Sequence, residues 1–238
     1  MVNYWLPVPI PTGPRCRTAA SVVLMLALAA CAALERRDTQ PEPVALELSH
    51  GNYLLDPGSY ELVPVQARLP PGQLQLEFLL VRGAINGAPE PDPFRTIPVE
   101  PGAGFELRLP AAIPGEVPAF QSADLQIEPA DTRVTRLGTF HYHPEYGMFR
   151  GGGGFIHQPS GDPMLLVHFS APARLRGSLQ DASGVYRYAV KTPRAGWSWL
   201  IVRSGSEGVQ EVLRYTGPVD AIEFAVLLPP LLIGDDPD

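Results

Sequence analysis

The sequence predicts an all-β protein: one or two tandem antiparallel β-sandwich domains, Ig-like or jelly-roll-like, after a helical N-terminal segment. Apolar and polar residues alternate over many short stretches, which is the period of a half-buried strand. The 28 Pro and 23 Gly among 238 residues interrupt the chain between these stretches and disfavour long helices. Beyond the N-terminal segment, no window keeps apolar residues at helical spacing over two turns.

The strands follow from the alternation in chain order. In residues 73–82, for example, Leu74, Leu76 and Phe78 point to one face while Gln75 and Glu77 point to the other. The predicted strands are 44–48, 60–67, 73–82, 94–99, 105–109, 125–128, 134–142, 155–157, 164–169, 175–179, 186–190, 197–202, 211–215 and 222–228. Residues 110–118 are predicted to be a linker, and the four glycines at 151–154 a flexible turn or bulge.

The N-terminal segment has the layout of a secretory signal. Arg15 and Arg17 precede an apolar run over 18–30, and no acidic residue occurs before Glu35. The run is shorter than the roughly 20 apolar residues that a membrane-spanning helix needs. Residues 1–30 are therefore predicted to be a helical signal peptide that is removed.

The end of this segment, Leu28-Ala29-Ala30-Cys31, resembles the lipobox of bacterial lipoproteins: a large aliphatic residue, two small ones and cysteine. The resemblance implies cleavage before Cys31 and a diacylglycerol thioether on its sulfur, with the membrane as partner through that anchor. Ala32 and Ala33, without Asp, resemble the pattern of lipoproteins sent to the outer membrane. The alternative is an ordinary secretory signal in which Cys31 is incidental.

Charge and cysteine content narrow the function further. The formal net charge is −7, and it becomes more negative once residues 1–30, with two Arg and no acid, are removed. Such a balance argues against nucleic acid as a partner. The second cysteine, Cys16, lies in the leader, so no thiol remains for a disulfide, a nucleophile or a metal site once Cys31 is lipidated. The covalent lipid is the only cofactor expected.

The mature chain divides, by prediction, into a tether over 31–43, β-sandwich units over 44–115 and 119–233, and a frayed tail over 234–238. An internal echo supports two units: Val81-Arg82-Gly83 matches Leu175-Arg176-Gly177, and Pro101-Gly102-Ala103-Gly104-Phe105 matches Pro193-Arg194-Ala195-Gly196-Trp197. This order of glycine-containing and aromatic strands weakly resembles bacterial pre-peptidase C-terminal β-sandwich modules, which implies a small accessory domain. Chance is the alternative, because turn residues are abundant.

A histidine pair is the most pointed candidate for chemistry. His141 and His143 share one face of a predicted strand, and Glu145 follows them. With His157 or His168 as a further ligand, they could hold Zn, Mn or Fe. The alternative, which we favour, is that Phe140 and Tyr142 face the core while both histidines face water.

Two tryptophans supply the other candidate site. Trp197 and Trp199 lie two residues apart on one strand face and could stack on sugar rings. The neighbouring face is also apolar, so burial in the core is the favoured alternative. Catalytic signatures such as Gly-x-Ser-x-Gly are missing. The sequence therefore predicts an outer-membrane lipoprotein of the bacterial envelope that acts as a non-enzymatic binding, scaffold or assembly module. A metal-dependent protein or a glycan binder is the alternative, and the expected partner is an envelope protein or a glycan.

Overall fold

The computed structural model describes residues 43–55, 62–64, 74–83, 92–100, 103–119, 121–143, 149–181 and 184–227. Strands dominate this part of the chain, and no α-helix occurs within it, so the all-β prediction is confirmed. Two single-turn 3-10 helices cover Ser206–Gly208 and Val219–Ala221. The strands are β1 Val44–Leu55, β2 Leu62–Pro64, β3 Leu74–Arg82, β4 Asp92–Val99, β5 Phe105–Leu109, β6 Leu125–Glu128, β7 Val134–His143, β8 Phe149–His157, β9 Pro163–Phe169, β10 Ala173–Asp181, β11 Gly184–Thr192, β12 Gly196–Ser204, β13 Val209–Arg214 and β14 Ile222–Leu227.

Strand pairing joins these strands into one mixed sheet network. Most pairs are antiparallel, as predicted, but β1 pairs with β14 in parallel and β11 pairs with β13 in parallel. The prediction of purely antiparallel sheets is therefore wrong at these two places. Contacts also group residues 41–238 into one compact unit. The pairs β1–β14 and β3–β7 link the predicted units 44–115 and 119–233, and the existence of two separate domains stays a prediction.

Two apolar cores lie on opposite faces of the central strands β9 and β12. In β12, Trp199 and Ile201 belong to the first core, whereas Leu200 and Val202 belong to the second. This alternation follows from the two-residue period of a strand, and it explains why β12 is apolar on both faces. We call the first cluster core 1; it is also lined by β1, β3, β5 and β14. We call the second cluster core 2; it is also lined by β6, β10, β11 and β13.

The sheet curls around core 1. Hydrogen-bonded neighbours follow the path β4–β3–β7–β8–β14–β1–β5, and all seven strands contribute to core 1. The two end strands meet again, because Arg95 Nη1 of β4 donates to the carbonyl oxygen of Arg108 in β5 at 3.5 Å. Pro93 and Pro98 of β4 have no N–H to donate at this edge, which explains why a side chain rather than a ladder connects the two strands.

The glycine run 151–154 is part of β8, contrary to the predicted turn or bulge. Gly153 pairs with Val226 of β14. A Cβ atom built on Gly153 would lie 2.9 Å from the Phe224 ring. Glycine is therefore needed here for strand packing, since any side chain would collide with a core aromatic ring.

Residues 110–119 are fastened across the end of core 1 and are not a loose linker. Ile113 is buried in core 1, and Arg82 Nε donates to the carbonyl oxygen of Pro114 at 3.3 Å. Ala119 is buried in core 2 and its N–H donates to the carbonyl oxygen of Thr132 at 3.1 Å. We call this segment the strap. It connects the two cores, which a solvated linker would not do.

Candidate functional site

The predicted lipidation site, Cys31, lies outside the described residues, as do the signal peptide, the tether up to residue 42 and the tail over 234–238. Within the described part, no helix has the length and apolar character needed to cross a membrane. Lipidation of Cys31 therefore stays a prediction that rests on the sequence.

The histidine pair lies at the end of β7. His141 pairs with Gly151 and His143 with Phe149 of β8; their side chains, and Glu145, lie outside what the structure describes. His157 lies at the opposite end of β8, six residues beyond Gly151 or about 20 Å along the strand. The register therefore does not place the backbone of His157 beside the pair, and a metal site at His141, His143, Glu145 and His157 stays a prediction. Among described residues, no group of three His, Cys, Asp or Glu could hold a metal ion.

His157 belongs to a hydrogen-bonded surface turn. Its Nδ1 lies 2.8 Å from Ser160 Oγ, and this hydroxyl donates to Asp162 Oδ2 at 2.7 Å. The His157 ring also contacts the ring of Tyr215 edge-on, with centroids 5.4 Å apart. In an activated nucleophile, the base lies between the hydroxyl and the carboxylate. Here the Ser160 hydroxyl lies between the histidine and the carboxylate, so the arrangement differs. The arrangement stabilises the turn between β8 and β9.

Both predicted sugar-stacking tryptophans have structural contacts. Trp199 is 9% exposed in core 1, and Phe155 packs edge-on against it with ring centroids 4.9 Å apart. Trp197 is half-buried, and its indole N–H donates to the carbonyl oxygen of Pro110 in the strap at 2.9 Å. The two rings therefore fill core 1 and hold the strap, which favours the core interpretation. Glycan binding itself stays a prediction.

A buried pair of His168 and Glu116 lies under the strap. The sequence suggested His168 only as an alternative further metal ligand. His168 Nδ1 of β9 lies 2.6 Å from Glu116 Oε1 of the strap, and the two side chains are 3% and 7% exposed. Thr135 of β7 donates its hydroxyl to the same oxygen at 3.3 Å. The Trp197 ring packs edge-on against the imidazole at 5.3 Å. The sequence contains one signal for this site. His168 continues the inward-facing alternation of Met164 and Leu166, which puts a polar side chain on a buried face of β9.

Both ring nitrogens of His168 have a partner. Nε2 lies 3.2 Å from the carbonyl oxygen of Ala111, which can only accept, so Nε2 carries a hydrogen. Nδ1 lies 2.6 Å from Glu116 Oε1. Both polar groups are therefore satisfied, which is the condition for burying them. At these exposures the pair is closed to a substrate and serves to fasten the strap.

A second polar cluster lies where β1 pairs with β14. The Tyr53 hydroxyl donates to Glu223 Oε2 at 2.5 Å, and burial, followed by this hydrogen bond and the carboxylate charge, raises the Tyr53 pKa. Burial lowers the pKa of His50, although a backbone hydrogen bond at Ala103 and the charge of Glu223 act in the opposite direction. The Tyr53 hydroxyl therefore stays protonated, and a charged His50 imidazole is disfavoured.

An open cleft of about 490 Å³ lies beside this cluster, where β1 changes partner. Leu48 is the last β1 residue paired with β5, and Ser49 is the first paired with β14. The cleft has a mixed lining of core residues, carboxylates and small residues: Glu47, Leu48, Ser49, Gly104, Phe105, Glu106, Asp220 and Ile222. Its size is in the range of sites for small ligands and side chains. We call it the β1 cleft, and it is a candidate binding site in the described part of the chain.

The chain was compared with protein-family models, with curated proteins and with solved structures, and none of the three comparisons gave a match.

Proposed function

We propose that this protein is a lipid-anchored lipoprotein of the bacterial envelope, directed to the outer membrane, whose β-sandwich body acts as a non-enzymatic binding, scaffold or assembly module. The observation that carries the proposal is the tetrapeptide Leu28-Ala29-Ala30-Cys31, at the end of a short apolar run that follows Arg15 and Arg17. Two or three acyl chains, at about 0.8 kcal/mol for each buried methylene, would hold the protein on a bilayer almost permanently.

The described residues support a binding role over a catalytic one. Three polar pairs among the described residues are engaged in structure: His168 with Glu116, His157 with Ser160, and Tyr53 with Glu223. The described lining of the β1 cleft includes the carboxylates of Glu47, Glu106 and Asp220, which can take part in binding. The two cores lie on opposite faces of β9 and β12, and this layering supports a sandwich architecture for the body.

Fractionation of a Cys31→Ser variant tests the anchor. The full chain, expressed in a bacterium, should sediment with the envelope, whereas the variant should move to the soluble fraction or accumulate as unprocessed precursor. A Cys16→Ser variant is the matched control, since this cysteine lies in the leader and should leave the distribution unchanged. Processing and membrane retention of Cys31→Ser at the level of the unaltered chain would contradict the proposal.

A further inference from the structure

The outer face of β10 and β11 has several cations close together. Alternate residues of these strands, such as Leu175 and Tyr188, point into core 2. The residues between them lie on the opposite face, and those that are charged are all basic: Arg174, Arg176, Arg187 and Lys191. We call this surface the basic face.

Strand register brings the cations of the basic face together. Arg174 and Lys191 are directly opposite in the β10–β11 ladder. Arg176 occupies the next outward position of β10, and Arg187 is opposite Ser178. At about 3.4 Å per residue and about 4.8 Å between strands, the four Cα atoms lie within about 15 Å of one another. Ionic screening acts over about 10 Å, so adjacent cations act together on an approaching charge. Like charges that are directly opposite weaken strand pairing, so the Arg174–Lys191 pair does not stabilise the sheet.

The basic face stays positive when the neighbouring strands are included. Glu128 of β6 is opposite Arg174. Glu211 of β13 is opposite both Arg187 and Arg203 of β12. In the described strands β6, β10, β11, β12 and β13, this side of the sheet therefore has five cations and two carboxylates. The formal net charge of the whole chain is −7, so positive charge is concentrated on this face of an acidic protein.

A flat anionic surface matches the shape of the basic face. β10 and β11 pair without a register break, so their outward side chains extend from one continuous surface. Arg176, Arg187 and Lys191 are exposed, and their long stems let the charged heads reach a common plane. A bilayer with anionic headgroups presents such a plane, and each Lys or Arg near it raises binding about fivefold.

The sequence independently points to a bilayer as the occupant. The lipid proposed on Cys31 would hold the body close to a membrane, because a flexible tether over 31–43 has an r.m.s. reach of roughly 20 Å. We propose that the basic face docks on a bilayer that contains anionic phospholipids and thereby orients the anchored body. Docking in this sense rests on the anchor of the proposed function and adds a fixed orientation to it.

Energy transfer from tryptophan to labelled lipid tests the docking. The full chain, purified from bacterial envelopes in detergent, is reconstituted into vesicles with dansyl-phosphatidylethanolamine as the acceptor. Trp197 and Trp199, the tryptophans of the predicted mature chain, are the donors, and only β13 separates their strand β12 from β11. Vesicles with about one third phosphatidylglycerol should shorten the tryptophan fluorescence lifetime relative to pure phosphatidylcholine at low salt, and about 1 M salt should remove this difference.

Matched variants locate the docking face. Arg176→Gln with Lys191→Gln should lower the ratio of docked to undocked chains about 30-fold, since two cations that contribute about fivefold each are lost. Arg95→Gln with Arg108→Gln removes the same charge from β4 and β5 and should leave the ratio unchanged. All four positions are exposed, so urea unfolding should show that both variants are folded.

Equal lifetimes in the two kinds of vesicle, or an equal effect of the two variants, would overturn the docking. Retention of the unaltered chain on phosphatidylglycerol vesicles but not on pure phosphatidylcholine would refute the lipid anchor and still support the basic face.

Discussion

Replacement of Glu116 by alanine is expected to lower the free energy of unfolding by about 3–5 kcal/mol, the usual cost of removing one member of a buried ion pair. The carboxylate lies 2.6 Å from His168 Nδ1, and the two side chains are only 7% and 3% exposed. Without it, the imidazole is left buried with one nitrogen unpaired, and the Thr135 hydroxyl loses its acceptor. The strap would then lose a buried side-chain attachment to β7 and β9.

An exposed ion pair of the same length provides the control. Arg108 Nε lies 2.6 Å from Glu106 Oε1, but these side chains are 71% and 43% exposed. Solvent screening makes such exposed pairs weak, so Glu106→Ala should have little effect. Both variants are compared by urea unfolding followed by far-UV circular dichroism. If the two losses of stability agree within about 0.5 kcal/mol, burial of the His168–Glu116 pair is not the stabilising factor that we infer.

Three more outcomes follow from individual side chains. Trp199→Ala should destabilise the protein by about 3–5 kcal/mol, whereas Trp197→Phe, which removes one hydrogen bond to the strap, should cost about 1 kcal/mol; equal losses in urea unfolding would refute the assignment of Trp199 to core 1. Tyr188→Phe should cost less than about 1 kcal/mol or stabilise, since its buried hydroxyl has no hydrogen-bond partner among described residues, and a larger loss would reveal such a partner. His50, whose pKa burial lowers, should contribute stability fully above its unfolded pKa of about 6.5 and lose it as the pH falls, so His50→Gln should flatten the pH dependence of unfolding below pH 6.5. An unchanged slope in that variant would contradict the burial of the imidazole.

The local features of the fold could be read from the sequence because strand periodicity is a local property. The predicted strands over 105–109 and 125–128 agree with β5 and β6 residue for residue, since strict alternation marks both faces. The glycine run in β8 was misread because its cause, the Phe224 ring across the sheet, is more than 70 residues away in the chain. Likewise, nothing local indicates that β1 pairs in parallel with β14.

The candidate sites depended even more on long-range information. His141, His143 and His157 were grouped as metal ligands on residue type alone, but the β7–β8 register separates His157 from the other two. Conversely, Glu116 and His168 are 52 residues apart, and only the path of the strap brings them together. The β1 cleft arises where β1 exchanges β5 for β14, which is a property of topology and has no sequence signature.

Mass spectrometry of the mature N-terminus tests the central claim most directly. We expect the first residue to be Cys31, with diacylglycerol on its sulfur and usually a third acyl chain on its amine. An N-terminal fragment that starts at an unmodified Cys31 or at Ala32 would contradict the account.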